Sequence, residues 1–243
     1  MIIEFIGIPG SGKTHIANEL RKFIELRTSD FQVIDSAQIL KEIKGERKGN
    51  RALILLPRVC NVTFASVVLK IMVGKSPFSG KKLLIKILLR RILMYQKVQE
   101  KKINDQNLPL FIFDEGLLHY AIAFFRNSGV YPQFVDIQKF LNQMKRIVDY
   151  SSADIMWVFV DPGDTEETYR RITQRTSGWP GTIGGLTDDG KRKYIVESYR
   201  RYNAIKEYAT SMSNSPVIDN SIFKNSYIEN FESILENVQK MHS

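Results

Sequence analysis

Gly7-Ile8-Pro9-Gly10-Ser11-Gly12-Lys13-Thr14 follows the apolar run Ile2 to Ile6 and opens a stretch, Lys13 to Leu26, with apolar residues at Ile16, Leu20, Phe23 and Ile24. The order is strand, tight loop, helix. Gly7, Gly10 and Gly12 let backbone N–H groups turn inward around phosphate oxygens, Pro9 and Ser11 complete the loop, and the helix N-terminus adds partial positive charge. Lys13 is placed to reach the β- and γ-phosphates, and the Thr14 hydroxyl to ligate Mg²⁺. All eight residues satisfy G-x-x-x-x-G-K-[ST] in the context that motif needs. ATP and Mg²⁺ are the expected cofactors.

Outward from the loop, apolar runs recur at Phe31 to Ile34, Pro109 to Phe113, Ile155 to Val160 and Val217-Ile218, three of them closed by Asp35, Asp114-Glu115-Gly116 and Asp161-Pro162-Gly163. Continuous apolar strands alternating with helices predict a parallel sheet covered on both faces. The expected fold is α/β: a three-layer P-loop NTPase fold with five parallel strands and a helical insertion between strands 2 and 3. Residues 1–243 read as a single domain, 41–103 as a basic helical insertion with breaks near Pro57 and Gly74 to Gly80, and 164–190 as a lid. Within the lid, 176–190 holds five glycines and a proline and predicts a mobile loop.

The 243 residues are enough for a full core, and 43% hydrophobic with 25% charged residues is an ordinary globular balance. Cys60 is the only cysteine, which excludes an internal disulfide and any multi-cysteine metal site, and His15, His119 and His242 are scattered. Met1 to Ile6 carries Glu4 and runs into the glycine loop, so it reads as a buried strand rather than a signal peptide. No apolar run approaches a membrane span, and a cytoplasmic location is expected.

The net charge of +9 is uneven: Lys41 to Lys102 holds 16 Lys/Arg against 3 acids, leaving the rest of the chain at −4. Lys82, Lys86 and Arg90 recur every four residues beside Leu84, Ile87, Leu88 and Ile92, a basic amphipathic helix. Such a helix suits an anionic membrane surface, nucleic acid or a solvated core helix. No aromatic interleaving supports nucleic acid, and none is expected as a partner.

A phosphate loop also needs a carboxylate on the adjacent strand to hold Mg²⁺, and Asp114 closes the third run where that group belongs. Glu115 is read as a metal partner, a general base or a loop acid. Arg171 and Arg175, spaced i and i+4, project from one helix face toward one anion, and arginine binds phosphate oxygens in a fork. Trp179 sits in the glycine-rich stretch that follows, a segment able to close.

The loop with proline third, Asp114-Glu115-Gly116, and the run from Asp154 through Asp161-Pro162 and Thr168-Tyr169 to Arg170-Arg171-Ile172-Thr173-Gln174-Arg175 together resemble P-loop kinases of the nucleoside and nucleotide kinase group, relatives of thymidylate and deoxynucleoside kinases. The resemblance spans most of the chain except 41–103. It implies a small-molecule kinase whose lid arginines touch the migrating phosphoryl group, with an acceptor hydroxyl beyond strand 2 near Asp35. Asp35 reads equally as that hydroxyl's proton acceptor and as a helix cap before Ser36. Val217-Ile218-Asp219-Asn220 is similar to the group's last strand. Nucleotide kinases of the group commonly carry an arginine directly after the metal-strand aspartate or in a Gly-Phe-Pro-Arg sequence; Glu115 and Gly116 stand there instead, which argues against a standard nucleoside monophosphate acceptor. The insertion's charge suggests an anionic acceptor, with Arg47, Arg51 and Arg58 as candidate grips. Nucleosides, nucleotides and sugars remain open as acceptors. The rival reading is a regulatory ATPase or switch that docks to a membrane or partner through the basic helix.

Overall fold

The computed structural model describes residues 1–45, 61–104, 109–148, 155–175, 178–179, 181–212, 217–219 and 227–242. Five strands, β1 (Ile2–Ile6), β2 (Gln32–Asp35), β3 (Pro109–Phe113), β4 (Ile155–Asp161) and β5 (Val217–Asp219), form one sheet in the order β2-β3-β1-β4-β5. Every pairing is parallel, with Ile2 level with Phe111 on one side and Ile155 on the other. β1 is central and all five of its residues are buried. The expected α/β fold and strand count hold, as does the helical insertion between β2 and β3.

Side chains alternate across the strands, so each strand feeds two cores. Ile2, Ile6, Phe111, Phe113, Trp157 and Phe159 face one core; Ile3, Phe5, Ile112, Val158 and Val160 face the other. The second core is closed by α1 (Lys13–Arg27) through Ile16, Leu20 and Ile24, and by α9 (Tyr227–His242) through Phe231, Ile234 and Val238. The first core is larger. It is covered by α2 (Ser36–Gly45), α3 (Val62–Val73), α4 (Phe78–Asn104), α5 (Leu117–Ser128), α6 (Phe134–Val148) and α8 (Asp188–Met212). A short helix, α7 (Thr165–Thr173), leads from β4 toward α8.

Over its described stretch 61–103, the 41–103 segment forms α3 and α4, and the break expected at Gly74 to Gly80 falls between them. There buried Asn127 of α5 pins the turn: it accepts from Ser76 N–H at 3.3 Å and donates to the Ile71 carbonyl at 3.0 Å. Pro57, Cys60, Arg47, Arg51, Arg58, Asp154 and Asn220 lie outside the described residues. The loop expected over 176–190 is in part regular structure. Gly181–Gly185 forms a 3₁₀ turn and α8 starts at Asp188, because Trp179 packs on Tyr169 with ring centroids 5.4 Å apart and Arg192 stacks over Tyr169 at 4.2 Å. No described helix is long and apolar enough to cross a membrane.

Candidate active site

The glycine-rich loop 7–14 joins β1 to α1, and its shape depends on glycine. Gly10 and Gly12 have φ of 89° and 85°, the left-handed region that favours glycine. A Cβ on Gly10 would stand 2.8 Å from Ile172 Cγ1 and 2.9 Å from Thr168 Cγ2, so α7 lies directly against the loop. Ser11 is buried, and its N–H donates to the Ile8 carbonyl at 3.1 Å. Pro9 sits between these contacts.

Parallel strands bring the ends of β1, β2 and β3 to one edge, and the side chains there meet. The Thr14 hydroxyl donates to Asp114 Oδ2 at 3.1 Å, and the Ser36 hydroxyl, at the start of α2, donates to Asp114 Oδ1 at 2.7 Å. Two hydroxyls and a carboxylate are hard oxygen donors. No cluster of three or more metal-binding His, Cys, Asp or Glu exists among the described residues, and Mg²⁺ at phosphate sites needs only one or two protein ligands. The donor set therefore fits Mg²⁺.

Lys13 is nearly buried and its Nζ lies 3.7 Å from Glu115 Oε1. Burial lowers its pKa, the charges of Glu115 and Asp114 oppose that, and Arg175 and Arg91 add to it. Glu115 also accepts from Arg91 Nη2 at 2.7 Å and lies 3.8 Å from His119 Nε2. Burial alone would raise the Glu115 pKa, but His119, Lys13 and Arg91 bring it down to about 2. Burial, then the charge of Lys13, lowers His119 to about 3, so its ring is neutral near pH 7. His119 Nδ1 and Arg91 Nε have no hydrogen-bond partner among the described residues.

A buried carboxylate fixes this corner. Glu4, on β1, accepts from His119 N–H at 2.9 Å and from the Tyr95 hydroxyl at 3.1 Å, which caps the N-terminus of α5. A Cβ on Gly116 would lie 2.2 Å from Glu4 Cδ; glycine alone permits that approach.

Asp35 is engaged twice: Oδ1 accepts from Gln38 N–H at 2.7 Å, capping α2, and Oδ2 is paired with Arg21. Arg171 donates from Nε to Glu167 at 2.8 Å. α7 ends at Thr173, and Gln174 is its cap, so Arg175 lies beyond the helix and the two arginines do not share one helical face as their spacing predicts. The Arg175 N–H instead closes a tighter turn on the Ile172 carbonyl at 3.2 Å, and its charge still acts on Lys13.

Sequence reasoning missed two groups here. In the sequence Ser36 stands out only as the residue after a helix cap. Arg91 was hidden beside Arg90, yet Leu84, Leu88, Arg91, Tyr95 and Val98 form one stripe at alternating three- and four-residue steps, so an arginine stands at a core position. A separate cavity of about 430 Å³, lined by residues including Glu4, Leu118, Asn142, Trp157 and Tyr208, contains none of residues 7–14 or 164–190.

Among solved structures, the deoxyadenosine kinase of M. mycoides with bound dATP aligns over 97% of this chain and 99% of its own, at 17% identity and a TM-score of 0.53. The fold is that of a deoxynucleoside kinase. A second structure of that enzyme, with products dCMP and a flexible dCDP bound, aligns over 99% of this chain and 100% of its own at 17% identity and a TM-score of 0.48. No protein-family profile and no curated protein sequence matches the chain.

Proposed function

We propose that this chain is an ATP- and Mg²⁺-dependent kinase that transfers the γ-phosphoryl group to a hydroxyl of a small nucleoside-type acceptor. The Thr14 to Asp114 hydrogen bond carries the reading, because it joins the phosphate loop to the next strand through oxygens suited to Mg²⁺. Bound between Thr14, Asp114 and the phosphates, that ion would supply charge neutralisation at the transferring group. The likeness to a deoxyadenosine kinase supports nucleosides as the first acceptors to consider, and the absence of an arginine directly after Asp114 argues for ranking monophosphates behind them.

In this reading the backbone N–H groups of residues 7–14 hold the phosphates, and Lys13 offsets charge that builds on the γ-phosphoryl oxygens. Arg171 and Arg175, from the lid 164–190, add positive charge from the other side. Glu115, ionised well below neutral pH, orients Lys13 and Arg91 rather than taking a proton. Asp35 is the remaining partner for the acceptor's proton, at a strand end whose next residue touches Asp114. Phosphoryl transfer depends on positioning and charge more than on a strong base, so Asp35→Asn should keep residual rate. The insertion 41–103 forms the acceptor side.

With MgATP and a panel of nucleosides, nucleotides and sugar phosphates, ADP release should be stimulated by nucleosides. No stimulation by any of them contradicts the kinase reading.

A further inference from the structure

From Asn61 to Gln99 the chain carries eight Lys/Arg and no Asp or Glu. The structure gathers part of that charge around an apolar surface. On α3 the side opposite buried Phe64, Val67 and Ile71 presents Leu69 and Val73, 64% and 75% exposed; the start of α4 adds Phe78 and Leu83, 59% and 47% exposed. Asn127 fixes the turn between the two helices, and Lys81 Nζ, on α4, donates to the Met72 carbonyl of α3 at 2.8 Å. Lys82 lies over the Phe78 ring at 4.6 Å.

Arg91 is paired with Glu115 and Lys97 with Glu100. Lys75, Lys82, Lys86 and Arg90 differ. Among the described residues none of them lies within ion-pair distance of a carboxylate, so their charge is uncompensated beside the apolar side chains.

We propose that this α3–α4 edge docks on an anionic lipid surface, with Leu69, Val73, Phe78 and Leu83 entering the headgroup layer and Lys75, Lys82, Lys86 and Arg90 meeting lipid charge. Apolar side chains rimmed by uncompensated lysine are the composition of an interfacial helix, and anionic headgroups attract each such cation within a Debye length. A second copy of the chain fits poorly, since a two-fold contact would set this basic edge against itself. Nucleic acid would use several stacking aromatics, and Phe78 is the one aromatic among these residues. Docking uses neither the loop 7–14 nor Asp114, so vesicle binding is read separately from phosphoryl transfer, although its residues belong to the segment 41–103 proposed for the acceptor side.

The test is co-sedimentation of the full chain with vesicles of phosphatidylcholine alone or mixed with phosphatidylserine. Binding is expected to the mixed vesicles only and to weaken as salt rises. Lys82→Glu/Lys86→Glu should lower the affinity about tenfold or more, and Phe78→Ser/Leu83→Ser should lower it comparably, each with an unchanged thermal midpoint. Equal binding to both vesicles, binding to neither, or indifference to both variants overturns the proposal. So does binding to duplex nucleic acid in place of vesicles, or a concentration-dependent dimer that Phe78→Ser/Leu83→Ser abolishes.

Discussion

Lys13, Glu115, Arg91 and His119 share one partly buried cluster, so each should respond to loss of another. Lys13→Ala removes the side chain proposed to meet phosphate and should weaken binding of a nonhydrolysable MgATP analogue by about 10- to 100-fold, the worth of one or two charge-assisted hydrogen bonds; calorimetry reads this. Arg91→Met strands Glu115 with less positive charge, and Glu115→Gln strands Arg91, which is only 6% exposed. A double-mutant cycle on unfolding free energy should give coupling of about 1–3 kcal/mol, with the double variant more stable than additivity predicts. His119 has a pKa of about 3 in the fold against an ordinary 6.5. Between those values the unfolded chain binds a proton that the folded chain does not, so the stability is complete above pH 6.5 and is lost as pH falls toward 3. At pH 5 the loss is on the order of 2 kcal/mol, and His119→Asn should show a smaller fall in Tm from pH 7 to pH 5 than the parent chain. Of this cluster the sequence marked Lys13 and Glu115, because a motif and a strand end name them. Arg91 and His119 acquire their meaning only when α4 and α5 pack beside the loop.

At the scale of elements, α7 against the phosphate loop is the contact most open to test. Gly10→Ala adds a left-handed backbone strain and a clash with Thr168 and Ile172. Together these should cost about 2 kcal/mol, or roughly 4–8 °C in Tm, and should also weaken nucleotide binding by moving α7. A scanning calorimeter and a nucleotide titration check the two effects separately. Strand ends were legible to within a residue, since each apolar run stops at an acid or a glycine. The segment 164–190 was less so: glycine content suggested an open loop, whereas Tyr169, Trp179 and Arg192 stack across it. Helix periodicity also placed Arg175 on α7, but the helix stops two residues earlier. Local spacing does not reveal the residue at which a helix ends.

For the whole molecule, five strands in the order β2-β3-β1-β4-β5 bring Thr14, Ser36, Asp114 and Glu115 to one edge from sequence positions up to 101 residues apart. The order could be anticipated only as one of a few right-handed topologies, and the acceptor pocket not at all, because the helices expected to line it carry no motif. If the site binds MgATP when folded and not when unfolded, an analogue at a hundredfold excess over Kd should stabilise the chain by about 2.7 kcal/mol, seen as a rise in Tm that Thr14→Ala reduces. The central claim is transfer to an acceptor rather than nucleotide binding alone. Incubation with γ-labelled ATP, Mg²⁺ and individual deoxynucleosides tests it most directly. The account predicts label in a deoxynucleoside monophosphate, lost in Asp114→Asn; label appearing only as inorganic phosphate, at a rate indifferent to every nucleoside, would contradict it.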